Sequence, residues 1–308
     1  MQAGTPDESI RMDGTPRWSW GGLFRRTRTL IFVVLAFLVG QQLCGPAQTT
    51  AARADLLDRL QEDRGSRVIA MIHRQDTVSL FGVPVSSSIG IEDSEAILRA
   101  IRLTPPDRPI DLILHTPGGL VLAAEQIALA LLERTGKVTV IVPHYAMSGG
   151  TLLALTADQI IMDPHAVLGP VDPQIGDMPA SSIVKLLGQK STDRISDEML
   201  VLADVAQKAR VQTSAFVTEV LLKHMPKERA NTVATALSEG QWTHDFPITV
   251  DAARQLGLRV STEMPPLIYE LMDLYPQAGE GRPSVMYVPL RRTAPSRPSA
   301  GLPARAQP

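Results

Sequence analysis

The sequence predicts an α/β fold, with a mostly parallel β-sheet built from βαβ units and a helical C-terminal part. Three observations carry that reading. Short β-branched runs alternate with apolar, helix-length segments between residues 67 and 162. Two of those runs stop at glycine turns, Thr116-Pro117-Gly118-Gly119 and Ala146-Met147-Ser148-Gly149-Gly150. Beyond Gly176 the chain changes to longer helical patterns. Strands alternating with helices of about three turns imply right-handed crossovers, and so a parallel sheet.

In chain order, residues 1–28 are polar and arginine-bearing and read as disordered. Within the segment 29–44, Leu30–Leu43 is uncharged and mostly apolar, interrupted only near its end by Gln41 and Gln42. This stretch is shorter than the ~20 residues of a full membrane span. Three readings fit it: a signal anchor, a cleaved signal peptide ending in the small residues of Gly45–Ala47, or an apolar helix packed on the domain. The arginines before it favour the anchor. The expectation is therefore a single-pass membrane protein with an extracytoplasmic catalytic domain.

The folded domain is expected over residues 51–290, entered through a charged helix from Ala51 to Arg64. Arg67–His73 and Leu80–Val85 read as strands. Ser94–Leu103 reads as a helix, with apolar residues at 97, 98, 101 and 103. Asp111–His115 is a strand, and Leu120–Glu133 a helix with so few charges that burial is expected. Val138–Val142 (strand), Gly150–Ala157 (helix) and Gln159–Met162 (strand) repeat the pattern. Helices follow at Ser181–Leu187, Ser196–Lys223, Lys227–Leu237 and Thr249–Leu256. The second of these has an apolar stripe too broad for a lone surface helix, which predicts packing on the sheet and on another subunit. The Pro/Arg-rich tail, 291–308, reads as disordered.

Composition narrows the chemistry. A net charge of −2 over 308 residues gives no electrostatic footprint for nucleic acid. The single cysteine, Cys44, lies in the apolar N-terminal stretch. That leaves the folded domain without a disulfide framework, a Cys-based zinc site or a cysteine nucleophile. The six histidines are scattered without metal-ligand spacing, so no metal is expected.

The two glycine turns are the candidate site. In a parallel sheet, functional groups collect at the carboxyl ends of the strands. If the strands before these turns are neighbours, the Gly119 and Gly149 amides converge on one oxygen beside the Ser148 hydroxyl. That is the arrangement of a nucleophile and an oxyanion hole. Gly-Gly after a strand also serves as a plain tight turn, and a serine before a helix as its cap. Spacing alone leaves both readings open.

The strings themselves go further. His115-Thr116-Pro117-Gly118-Gly119-Leu120-Val121-Leu122-Ala123-Ala124-Glu125-Gln126 resembles the serine dehydrogenase proteinase family, as do Pro143–Thr151, Leu168–Gln174 and Trp242–Ile248. The resemblance runs from about Gly65 to Val288. It implies a Clp/crotonase-like fold, related to the Clp proteolytic subunit and the signal peptide peptidases, and a membrane-associated serine endopeptidase acting through an acyl-enzyme. Carried over by position, Ser148 is the nucleophile, and Gly119 and Gly149 supply the oxyanion-hole amides. The same resemblance implies a protein or peptide substrate, no cofactor and a homo-oligomer.

A serine hydroxyl needs a base within hydrogen-bond reach. The Clp proteolytic subunit uses a histidine at a place where this chain has Pro173 and Gln174, and His165 stands short of it. Peptidases of the signal-peptide type use a lysine instead, which can act as a base when burial lowers its pKa toward neutrality. Lys190, just before the Ser196–Lys223 helix, is the leading candidate, with Lys208, Lys185 and His165 behind it. No catalytic role is assigned to His115, His144, Tyr145, His244 or Asp245. Two other functions fit the same fold: an acyl-CoA enzyme of crotonase type, and a catalytically weak scaffold at the membrane.

Overall fold

The computed structural model describes residues 48–73, 78–80, 83–85 and 88–275. The N-terminal segments 1–28 and 29–44 and the tail 291–308 lie outside the described residues. The chain divides into two units after residue 60. The described part of the first, 48–60, is helical, and this helix, α1, runs on to residue 64 in the second unit.

The second unit is built on a five-stranded sheet. Its strands are β1 (Arg67–Ile72), β4 (Ile110–His115), β5 (Val138–Val142), β7 (Gln159–Met162) and β11 (Val260–Ser261), in that spatial order. All four pairings are parallel; β4 meets β5 from Ile110↔Val138 to Ile113↔Ile141. Sequence order and spatial order agree, so each crossover steps to the adjacent position.

The helices making the first crossovers are α2 (Ile91–Arg102), α3 (Val121–Leu132) and α4 (Gly149–Leu155). Every residue of β4 and of β5 is buried. Their near-continuous apolar runs suit parallel strands covered on both faces. The polar residues of β4 are Asp111 and His115, and Asp111 is held by the Arg64 guanidinium and by the Ser66 hydroxyl at 2.7 Å. α3 was expected to be buried overall, but it buries one face (Ala124, Ile127, Ala128, Leu131) and exposes Leu122 and Leu129.

A helical layer follows: α5 (Ala180–Leu187), α6 (Asp197–Leu222) and α7 (Lys227–Ser238). α6 packs against both α5 and α7 and also reaches α4. Contact with several elements accounts for its broad apolar stripe. Val201, Val205 and Val211 on the same helix are exposed. Two short helices, α8 (Val250–Gln255) and α9 (Pro266–Asp273), complete the described chain.

Two expectations change. The single strand expected at Leu80–Val85 is instead an antiparallel hairpin of β2 (Val78–Leu80) and β3 (Val83–Val85). Among the described residues, no helix is long and apolar enough to cross a membrane. That overturns the expectation of a single-pass protein with an extracytoplasmic domain. The segment 29–44, on which that expectation rested, lies outside the described residues.

Candidate active site

The site is assembled from loops at the carboxyl ends of β4 and β5. Because these strands are neighbours, the loops leaving them run side by side. Thr116 accepts a hydrogen bond from the Met147 N–H at 3.0 Å and donates its own N–H to the Tyr145 carbonyl at 3.2 Å. The latter residue belongs to β6 (Tyr145–Ala146), which pairs with β8 (Val167–Leu168). A third segment fixes the first loop from its other side. Ile89 donates to the Gly118 carbonyl at 2.7 Å and accepts from the Leu120 N–H at 2.9 Å.

Those two bonds flank Gly119. In a parallel bridge of this kind, the middle residue turns its own N–H away from the partner strand. The Gly119 N–H therefore faces away from Ile89, toward the second loop. Any Cβ on Gly119 would collide with the Ile89 backbone, so only glycine allows the approach. Gly118 is similarly pressed, since a Cβ there would lie 2.7 Å from that of Ser148. The place a Cβ would occupy on Gly149 is 3.7 Å from the Gly119 nitrogen. Neither the Gly119 nor the Gly149 N–H has a hydrogen-bond partner among the described residues.

Ser148 precedes α4 with φ 50° and ψ −117°, the one non-glycine residue at positive φ among the described residues. This backbone suits glycine and strains serine. Its side chain does not cap α4. Thr151, one turn in, ties the helix start to its surroundings. Its hydroxyl donates to the Ala146 carbonyl at 2.7 Å and accepts from the Gly169 N–H at 2.9 Å. The first loop has its own brace: Thr116 Oγ1 accepts from the Gly118 N–H at 3.2 Å and lies 2.7 Å from His73 Nδ1.

Ser148, Gly119 and Gly149 line a cavity of about 250 Å³. His244 and Asp172 line the same cavity. His244 Nδ1 is 2.8 Å from Asp172 Oδ1, and the other carboxylate oxygen accepts from Gln174 Nε2 at 2.7 Å. Asp172 is buried, whereas the His244 ring is 35% exposed. Nδ1 is thus committed to a carboxylate and Nε2 has no partner among the described residues. With Nδ1–H donating to Asp172, Nε2 is the nitrogen left to take a proton, as a general base requires.

The local fold explains the meeting. Leu168 and Ile248 exchange both backbone hydrogen bonds, at 3.0 and 2.9 Å, and the Val171 N–H donates to the Leu237 carbonyl. The segment after β8 and the loop carrying His244 are therefore laid against each other. Trp242 and Phe246 stack at 5.2 Å on either side of His244 in sequence, which stiffens that loop.

The other candidates lie elsewhere. Lys190 is exposed, between α5 and the short 3₁₀ turn Thr192–Arg194, and does not line the cavity. Lys185 and His165 are also exposed and outside it. Lys208 is exposed on α6 and paired with Asp204 at 2.5 Å, an ordinary i,i+4 contact. His115 is buried in a ring cluster with His144 and Tyr145, and none of the three lines the cavity. Sequence reading singled out the strings holding Asp172 and His244 but gave neither a role. The available signal was two polar residues, each inside a distinctive loop string.

The family described as ClpP-like SDH-type serine proteinase matches residues 23–300. Two uncharacterized proteins of Methanocaldococcus jannaschii are similar to this chain. One is 51% identical over 260 residues, covering 84% of this chain and 88% of its own length. The other is 55% identical over 242 residues, covering 79% and 85%. Among solved structures, a mutant of the membrane-bound stomatin-specific protease 1510-N covers 61% of this chain and 79% of its own, at 20% identity and a TM-score of 0.41.

Proposed function

The chain belongs to the ClpP-like SDH-type serine proteinase family, and from that premise we propose that it hydrolyses peptide bonds through an acyl-enzyme at Ser148, with His244 as the general base. One observation carries this reading: Ser148, the two glycine amides and a carboxylate-held imidazole line one cavity.

In the proposed cycle, Ser148 Oγ attacks the peptide carbonyl as His244 Nε2 takes the hydroxyl proton. The Gly119 and Gly149 N–H groups receive the developing oxyanion; such donors are each worth roughly 10²–10³ in kcat. Asp172 holds the ring and stabilises the imidazolium. His244 then passes the proton to the leaving amine, and water, deprotonated by the same nitrogen, releases the acyl group. At about 250 Å³ the cavity falls below the ~300–1,000 Å³ of drug-sized ligand sites, which suits a side chain of an extended substrate.

The test is labelling of the full chain by a fluorophosphonate probe, together with turnover of a mixed peptide library. Labelling and turnover are expected in the wild type and neither in Ser148→Ala. Equal peptide turnover in both proteins would sink the reading.

A further inference from the structure

The cavity holds a second carboxylate that the reaction does not use. Glu125 lines it from α3, one turn on from Val121, which lines it too. Facing walls come from Leu152 on α4 and Thr213 and Phe216 on α6. Asp172 is engaged by His244 and Gln174, but Glu125 has neither a hydrogen-bond nor an ion-pair partner among the described residues.

Burial pushes the Glu125 carboxyl up from its ordinary value, which is the signature of an anion held partly out of water without compensation. A positive group arriving from the substrate would relieve that condition. The remaining walls are largely apolar and suit the aliphatic stem of a long basic side chain, whose charged end seeks a carboxylate. Because Ser148 and both amides open onto the same space, the side chain nearest the attacked carbonyl is the one that enters it.

We propose that Glu125 is a specificity determinant, drawing in a lysine or arginine side chain from the residue on the acyl side of the scissile bond. This rests on the reading of Ser148 as the nucleophile. It assigns the cavity a substrate class, peptides cut after a basic residue.

The experiment uses the full chain and N-acetylated peptide coumarylamides that differ only in their last residue: Lys, Arg, Met or Glu. Acetylation removes the alternative source of positive charge, a free amino terminus. The Lys and Arg substrates are expected to exceed Met by about tenfold or more in kcat/KM, the scale of one charge-assisted hydrogen bond. In Glu125→Gln that ratio falls toward one, and in Glu125→Lys the preference moves to Glu. A Lys-to-Met ratio that is the same in wild type and Glu125→Gln overturns the proposal and leaves the peptidase reading standing. Binding of benzamidine against benzamide to the Ser148→Ala protein separates the two questions. Benzamidine binding that is lost on Glu125→Gln upholds the cation site even without turnover. Without turnover, equal binding of the two compounds overturns it.

Discussion

His244 Nδ1 lies 2.8 Å from a carboxylate oxygen of Asp172, a residue 72 positions earlier in the chain. The pair spans the join between the segment after β8 and the loop before α8. An imidazole so held presents one nitrogen to the cavity and keeps the other occupied. Asp172→Asn should preserve packing but offer the ring a donor where it needs an acceptor. The expected result is a fall in kcat on the order of 10³–10⁴, with folding unchanged by circular dichroism. Retention of more than a tenth of wild-type kcat would remove Asp172 from the mechanism.

The lysines provide the matching control. Lys190→Ala should keep kcat/KM within about twofold, since surface substitutions away from special features change little. His244→Ala should abolish turnover. The opposite pattern would restore the lysine as base, delivered from elsewhere in an assembly.

Much of this was readable in the chain before the fold was known. Val138–Val142 and Gln159–Met162 coincide with β5 and β7, because β-branched runs ending at proline or aspartate are strong local signals. The two glycine turns were legible for a related reason: a Gly-Gly after a strand marks backbone that must come close to something. β6, β8 and β11 were not legible, as two-residue strands have no periodicity to detect. They exist because a neighbouring segment pairs with them. The proposed base is hidden for the same reason. Lys190 was chosen from its place along the chain relative to Ser148. His244 reaches the cavity only through the Leu168–Ile248 pairing, which no local pattern encodes.

The Ser148 backbone makes a prediction of its own. At φ 50° and ψ −117°, serine is strained by roughly 1–3 kcal/mol. Ser148→Gly should therefore unfold at higher denaturant concentration than Ser148→Ala, although both are inactive. If Ser148→Ala proves the more stable, the strain is absent.

Thr151 tests the scaffold without touching the chemistry. Thr151→Val keeps the volume but leaves the buried Gly169 N–H without its acceptor. The expected loss is about 1–3 kcal/mol in urea unfolding. A change under about 0.5 kcal/mol would show that the hydroxyl is not needed to hold the start of α4.

Tyr269 offers a spectroscopic check on the last described helix, α9. The hydrogen bond it donates to the Asp163 carboxylate at 2.6 Å pushes its phenol up to about 12. Since the folded value is raised above the unfolded one of about 10, its contribution to stability is complete below about pH 10. That contribution fades as the pH climbs through about 12. Ultraviolet titration of Tyr269→Phe should lack one late phenol ionisation present in the wild type. Loss of an ionisation near pH 10 instead would mean the bond to Asp163 does not form.

The two hydrogen bonds from Ile89 to the backbone on either side of Gly119 have a consequence beyond support. They couple the aim of the proposed oxyanion donor, the Gly119 N–H, to a residue that does not line the cavity. Ile89→Pro, which deletes one of those bonds, is expected to silence turnover while the His244–Asp172 pair stays intact. The aim of the Gly119 N–H is thus set by whether two segments stay zipped together, away from the residues that face the cavity.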